Sequence, residues 1–335
     1  MRTITVFAVF VISFYSIFPL SAQGSGYALS LSPQFGFVYG QAEEIVYPSP
    51  PGKYKAEKLS QLLWDMKPVL YYGLSLDFSR ANPLEKWGGF AKLSLKNGIP
   101  GISGNIENRD WMSVENDALT HYSIHDNDAR ELFLFDLSAG FSLPLSGAFL
   151  LKTAVSVSYM RFSFSGMYGM GTYAREVNAY SGIYYPITDN PILKPFTKDD
   201  GFNGKVINYT QDWLAVTSGL SLAYYFLHYF LVELSFQISP FILCAALDEH
   251  LVQPKTIQYR DYLQNGLFLE PAFRFAFAAN KWLEFSVGCS WRHIAVPPGT
   301  SYQRSYGRGN YLLQDSESGA GLSMLDTGLC VTIRL

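Results

Sequence analysis

Apolar and polar residues alternate with a period of two over most of the chain after residue 25. Successive side chains of a β-strand point to opposite faces, so this period predicts strands with one apolar and one polar face. The clearest apolar alternations run over residues 133–143, 214–226, 232–238, 267–277 and 283–291. The opposite parity carries Asp136, Ser138, Glu270, Arg274, Glu284 and Arg292. A wall with lipid outside and a polar interior accounts for both parities.

The composition agrees with a membrane wall. Aromatic residues make up 16% of the 335 residues, and charged residues also make up only 16%. Transmembrane barrels need an outer apolar band with aromatic girdles, whereas soluble chains of this length carry more charge. The formal net charge of -3 gives no basic patch of the kind that binds nucleic acid.

Ten strands follow from the alternation. We expect them near 27–40, 66–79, 87–107, 130–143, 148–165, 207–226, 229–246, 256–277, 281–296 and 319–335. Short connections at 80–86, 144–147, 227–228 and 278–280 alternate with long ones at 41–65, 108–129, 166–206, 247–255 and 297–318. This is typical of barrels whose two ends face different compartments. The predicted fold is all-β, a transmembrane antiparallel β-barrel of about ten strands forming one domain over residues 23–335.

Residues 1–22 have the pattern of a secretory signal peptide. Arg2 is followed by a mostly apolar stretch and then by Leu20-Ser21-Ala22, which favours cleavage after Ala22. An uncleaved anchor helix is the alternative, although the apolar run is short for one.

The stretch from Leu220 to Phe236 has a second interpretation as a transmembrane helix. It contains His228 and Glu233, and its polar residues recur every second position. We therefore favour two strands that meet at a tight turn near His228.

Cys244, Cys289 and Cys330 are too few and too scattered for a disulfide framework, and no Cys-x-x-Cys pair suggests zinc. They are interpreted as residues of the barrel wall, and we expect no metal site.

Acidic residues and a histidine fall in the predicted long loops at one end of the barrel. Asp248 and His250 are two residues apart, so on an extended backbone both side chains point the same way. A carboxylate beside an imidazole can orient a general base, and Asp110 from another loop could help hold a water molecule. Each residue alone could equally be plain solvated surface, which is also the interpretation given to His121 and His125.

The chain resembles the omptin family of outer-membrane proteases. The matching stretches are Ser60-Gln61-Leu62 with Trp64, the segment from Gly104 to Met112, Asp248-Glu249-His250, and Gly299-Thr300-Ser301. They occur in family order over essentially the whole mature chain. The resemblance implies an Asp-His couple and an Asp-Asp couple that face each other across a cleft and activate water. Asp248 and His250 match the first couple. Asp110 matches the second member of the other couple, whose first member falls on Asn108.

The resemblance also implies binding sites, with departures. Glu44 matches one acidic group that binds a basic substrate side chain. The second acidic position falls on Ala246, and a further one falls near Arg304, which puts dibasic specificity in doubt. Arg161 matches an outer-wall position that binds lipopolysaccharide in the family, although an arginine that reaches toward the membrane rim has the same pattern.

These observations predict an aspartic-type endopeptidase in the outer membrane of a diderm bacterium, with extracellular active-site loops, peptide or protein substrates and membrane lipids as partners. No cofactor is expected, apart from lipopolysaccharide or another outer-leaflet lipid. Asn108 predicts attenuated activity. The alternatives are a catalytically silent homologue that acts as an adhesin or host-protein binder, and a small pore.

Overall fold

A computed structural model of the chain describes residues 26–48, 52–187, 192–195, 204–227, 229–252, 256–305, 307 and 309–335. The strands within these residues are β1 (Tyr27–Tyr47), β2 (Ser60–Arg80), β3 (Gly88–Gly98), β4 (Gly101–Asp110), β5 (His121–Pro144), β6 (Phe149–Tyr173), β7 (Lys194–Pro195), β8 (Lys205–Phe226), β9 (Phe230–Ser239), β10 (Ile242–His250), β11 (Ile257–Gln264), β12 (Leu267–Ala278), β13 (Leu283–Ala295), β14 (Gly299–Ser305) and β15 (Leu312–Arg334). No helix in the described part of the chain could span a membrane.

Ten antiparallel strands close into a ring. Four of them are long strands with a short interruption, formed by β3 with β4, β9 with β10, β11 with β12, and β13 with β14. β15 pairs with β1 from Ser30 opposite Arg334 to Tyr47 opposite Glu317, which completes the ring. The two-residue β7 pairs with β6 outside the ring. The predicted all-β barrel of about ten strands is confirmed, and closure leaves the ring without a free sheet edge.

The outer wall carries an exposed apolar band that ends at a definite height. On β1 the outward positions change from Tyr39 to the polar Gln41, and on β6 they change from Tyr159 to Arg161. The members of the band include Phe35, Leu70, Tyr72, Leu137, Phe141, Val155, Val216, Leu220, Leu234, Phe236, Phe273, Phe285 and Leu329. We place the membrane against this band, so residues beyond Gln41 and Arg161 lie above it.

The lumen at membrane depth is filled by ion pairs. The buried Arg292 lies 2.7 Å from Glu270, and the carboxylate of Glu233 lies 2.8 Å from Lys152. Lys96 and Asp326 form a further pair. The polar parity predicted from the sequence therefore faces the inside of the barrel.

Above the membrane the strands are longer than predicted. β1 continues to Tyr47 rather than ending near residue 40, β2 begins at Ser60 rather than near 66, and β5 begins at His121 rather than near 130. The placement of the site residues in loops is wrong, because strands contain Glu44, Asn108, Asp110, Asp248 and His250. Continued pairing gives partners to backbone groups that a loop would leave to water.

The stretch from Leu220 to Phe236 forms the end of β8 and the start of β9, as predicted from its period of two. Tyr224 pairs opposite Val232, and Phe226 pairs opposite Phe230. The proposed turn residue His228 and the predicted signal peptide, residues 1–22, lie outside the described residues. The three cysteines lie on β10, β13 and β15.

Candidate active site

Asp248 and His250 form a hydrogen-bonded couple at the upper end of β10. His250 Nε2 lies 2.6 Å from Asp248 Oδ2. The Asp248 side chain is 3% exposed, whereas that of His250 is 48% exposed. A carboxylate only accepts, so Nε2 carries the hydrogen and the Nδ1 lone pair of neutral His250 is left for other partners. The couple is thus an imidazole open to the cleft and backed by a buried carboxylate.

The pKa of His250 is raised above its usual 6.5. Burial lowers it, but the charge of Asp248 and the hydrogen bond to it raise it more, and Asp110 adds to the increase. Tyr259 packs edge-on against the imidazole at 5.5 Å between ring centroids, which helps to fix the ring.

Asp110 ends β4 and is held by two neighbouring side chains. Ser60 Oγ on β2 donates to Asp110 Oδ1 at 2.7 Å, and Asn108 Nδ2 donates to Asp110 Oδ2 at 3.4 Å. Burial raises the pKa of Asp110 to about 6, although both hydrogen bonds and His250 oppose the increase. Ser60 lies directly opposite Asp110 in the strand pair, so register explains its contact.

The two groups face each other across the ring. β4 pairs with β2 and β5, while β10 pairs with β8 and β11, so the strands are not neighbours. Asp110 and His250 nevertheless affect one another's pKa. The structure therefore brings together Asn108, Asp110, Asp248 and His250, the four residues predicted to carry the chemistry.

Glu44 lies on the inner face of β1 and is 4% exposed. Burial raises its pKa well above the usual range, and the charges of Asp248 and Asp261 raise it further. Asp261 on β11 is a further acidic residue of this site that sequence spacing does not predict. Cross-strand register places it there, because it lies directly opposite Ala246 on β10.

A profile of the Omptin family matches residues 25–334 of the 335. The chain belongs to the omptin family. Among solved structures, the outer membrane protease OmpT from Escherichia coli aligns with a TM-score of 0.77 at 18% identity, over 92% of this chain and 97% of that chain. No match was found among curated protein sequences.

Two other solved barrels resemble this omptin much less. The toluene transporter TodX of P. putida aligns with a TM-score of 0.31 at 10% identity, over 96% of this chain and 92% of that chain. Ail, the attachment invasion locus protein of Yersinia pestis, aligns with a TM-score of 0.27 at 9% identity, over 90% and 98% of the two chains. Scores this low support no conclusion beyond the omptin assignment.

Two histidines of this omptin lie closer to the site than predicted. His125 is 5% exposed, with one ring nitrogen 3.1 Å from Ser123 Oγ and the other against the Tyr168 carbonyl, so its assignment as a solvated residue is wrong. His121 lies directly opposite Asp110 on β5, and burial lowers its pKa. Their positions depend on the strand pairing of residues 121–129, the upper part of β5, which the sequence predicts as loop.

Arg161 of this omptin lies on the outer wall at the top of the apolar band. Its guanidinium is 2.9 Å from both Glu131 and Asp212. Arg304, near the further acidic position that the resemblance implies, also has partners within the chain. Its Nε donates to Gln258 Oε1 at 2.6 Å, and its guanidinium lies over the Tyr311 ring. Both arginines thus have partners within the chain.

Proposed function

We propose that the chain is an aspartic-type endopeptidase of the outer membrane that hydrolyses peptide bonds with an activated water. The supporting observation is the Asp248–His250 couple, 2.6 Å between Nε2 and Oδ2, facing Asp110 across the barrel mouth. Family membership and the apolar band below the site agree with this function. The outward apolar band and the polar upper strands favour an active site that opens outside the cell.

His250 acts as the general base in this proposal. Nδ1 removes a proton from a water molecule between the imidazole and Asp110, and the resulting hydroxide attacks the scissile carbonyl. Asp248 keeps the imidazole oriented and stabilises the imidazolium that forms. His250 then returns the proton to the leaving amine. Asp110 accepts a hydrogen bond from the water and so fixes it before the attack.

Asn108 replaces the second carboxylate that the family resemblance implies. An amide can donate a hydrogen bond to Asp110, as a protonated carboxylate would, but it cannot take up a proton. We therefore propose an attenuated protease. The same substitution favours a second candidate, a silent homologue that binds host proteins or acts as an adhesin.

Peptides or proteins at the cell surface are the proposed substrates, with Glu44 as a contact for a substrate cation. A lipid phosphate at Arg161 is a further proposed partner. It would have to compete with Glu131 and Asp212 for the same guanidinium. For this reason we do not propose a strict requirement for lipopolysaccharide.

Cleavage of a diverse peptide library by the refolded protein tests this function. We expect slow cleavage by the native sequence, loss of cleavage in His250→Ala, and faster cleavage in Asn108→Asp. His293→Ala, on the outer side of β13, is the matched control and should cut normally.

Three other outcomes would change the conclusion. Cleavage only in Asn108→Asp identifies a binding protein on a protease scaffold. If no variant cuts, the assigned site is wrong. Steady conductance in a planar bilayer would support the pore instead.

A further inference from the structure

A groove opens at the end of the barrel opposite the active site. β2 begins at Ser60, beside Asp110, and ends at Arg80, which borders this groove. The groove has a volume of 590 Å³, within the range of roughly 300–1,000 Å³ that is usual for ligand sites. We call it the lower groove, and the residues that line it include Tyr27, Arg80, Glu85, Lys86, Trp87 and Leu143.

The lower groove faces the edge of the membrane. Leu143 and Phe141 are 49% and 61% exposed and belong to the outward face of β5. Arg80 has the same parity on β2 as the outward Tyr72. Trp87 is 67% exposed, and its ring lies 6.4 Å from that of Phe141 between centroids. Tryptophan is enriched where a membrane meets water, so the groove lies at the height of the lipid headgroups.

Two cations border the lower groove without a carboxylate partner. Within the described residues, neither Arg80 nor Lys86 forms an ion pair. Arg80 Nε is buried and has no hydrogen-bond partner there, and the guanidinium lies 5.4 Å from the centroid of the Tyr27 ring. The charge of this arginine is therefore unbalanced within the described chain, and phosphate is an anion that a guanidinium binds well.

A glycine allows Arg80 to lie in this position. A Cβ at Gly88 would lie 2.6 Å from Arg80 Cδ and 2.7 Å from Arg80 Cγ. The arginine stem thus crosses the start of β3 at a point where any side chain would displace it. Tyr27 lies directly opposite Arg80 in the pairing of β1 with β2, so register places the ring under the guanidinium.

A single carboxylate lies beside the two cations. Glu85 Oε1 accepts a hydrogen bond from Asn82 Nδ2 at 3.0 Å, and the side chain is exposed. Glu85 forms no ion pair with any residue that the structure describes. The lower groove thus offers positive groups for a phosphate and a negative group for an amine. Phosphoethanolamine carries both of these charges.

We propose that the lower groove binds the phosphoethanolamine headgroup of a phospholipid in the leaflet farther from the active site. Arg80 and Lys86 bind the phosphate, and Glu85 accepts hydrogen bonds from the ammonium group. The acyl chains lie along the exposed side chains of Phe141 and Leu143. This site lies in the other leaflet from any lipid at Arg161, and it does not depend on peptide cleavage.

Native mass spectrometry of the refolded protein in detergent tests the site. The probes are dioleoyl phosphatidylethanolamine, dioleoyl phosphatidylcholine and soluble phosphoethanolamine. We expect a one-to-one complex with phosphatidylethanolamine. Phosphatidylcholine should bind more weakly by on the order of tenfold, because its trimethylated nitrogen donates no hydrogen bond to Glu85. Soluble phosphoethanolamine should not compete at equal concentration, because it lacks the acyl chains.

Four variants make the test specific. Arg80→Gln should weaken binding of phosphatidylethanolamine by on the order of tenfold, and Gly88→Ala should weaken it by displacing the same arginine. Glu85→Gln should abolish the difference between the two lipids. Lys281→Gln is the matched control, because Lys281 lies 4.9 Å from the centroid of the Trp282 ring at the same end of the barrel but outside the groove.

Thermal unfolding in the same detergent shows that each variant is folded. Equal binding of the two lipids by the native sequence, unchanged binding in Arg80→Gln, or an equal loss in Lys281→Gln would overturn the proposal. Soluble phosphoethanolamine that binds as tightly as the lipid would also overturn it, because the ligand would then not come from the membrane.

Discussion

At the scale of single residues, the protonation states of Asp110 and His250 set the pH at which a water could be activated. Asp110 must be ionised to hold the water, and its pKa is about 6. His250 must be neutral to accept a proton, and its pKa is raised above 6.5. Both requirements are met only as the pH increases. We therefore expect kcat/KM to rise with pH from about 6 and to level off above the pKa of His250.

The Asp248→Asn variant separates the two groups. It removes the charge that raises the His250 pKa, so the acid limb should move to lower pH while the plateau rate falls. The measurement is kcat/KM against pH for one peptide without a basic side chain, so that protonation of Glu44 does not alter the binding of a substrate cation. A rate that falls between pH 6 and 8, or a limb that does not move in the variant, would contradict His250 as the base.

The sequence predicted the couple at residue scale but not its surroundings. Asp248 and His250 are two apart on one strand, so their shared face needs only the period of an extended backbone. Asp261, Ser60 and His121 reach the site through cross-strand register. Register depends on bulges and pairings over the whole sheet, which one segment of sequence does not contain.

At the scale of strands, the sequence located the ten members of the ring but predicted several of them to be too short at the upper end. Below Gln41 and Arg161 one face meets lipid and the other meets the lumen, so apolar and polar residues alternate. Above that height the outer face is polar, and buried apolar side chains such as Trp64 and Phe164 lie on the inner face. The pattern of an apolar outer face and a polar inner face is therefore lost, although the hydrogen-bonded pairing continues. The loop assignment of Glu44 and Asp110 was wrong for this reason.

A glycine bulge sets the face of β4 on which Asn108 and Asp110 lie. The register with β5 shifts between Ile102 and Asn105, and Gly104 between them has a φ of 72°. Such an extra residue reverses the faces of the strand beyond it. A Cβ at Gly104 would lie 2.6 Å from Asp65 Cβ. We expect Gly104→Ala to destabilise the fold by about 2 kcal/mol and to lower cleavage further by displacing Asp110.

Gly101→Ala is the matched control for the bulge. Gly101 lies in the same strand, its Cβ would meet nothing within 4 Å, and its φ is not in the left-handed region. Chemical unfolding followed by tryptophan fluorescence, together with peptide cleavage, measures both effects. Equal behaviour of the two alanine variants would show that the bulge does not set the site.

At the scale of the whole molecule, the ring encloses buried charge that joins distant strands. Arg292 on β13 is 4% exposed and lies 2.7 Å from Glu270 on β12 and 3.5 Å from Asp136 on β5. Its guanidinium also lies over the Phe268 ring at 5.4 Å. Buried charges are tolerated only while they are paired. These ion pairs therefore fill the lumen below the site and hold distant strands together.

The ion pairs in the lumen lead to a prediction about stability rather than activity. Glu270→Ala leaves Arg292 buried without its nearest carboxylate, and we expect the free energy of unfolding to fall by about 3–5 kcal/mol. Replacing both charges, with Glu270→Leu and Arg292→Leu together, should recover most of the loss because no unpaired charge remains. Arg130→Ala breaks the exposed pair with Asp128 on the outer surface and should cost under about 1 kcal/mol. Urea unfolding in lipid vesicles measures all three variants, and a double variant as unstable as Glu270→Ala would mean that packing, not charge, holds this layer together.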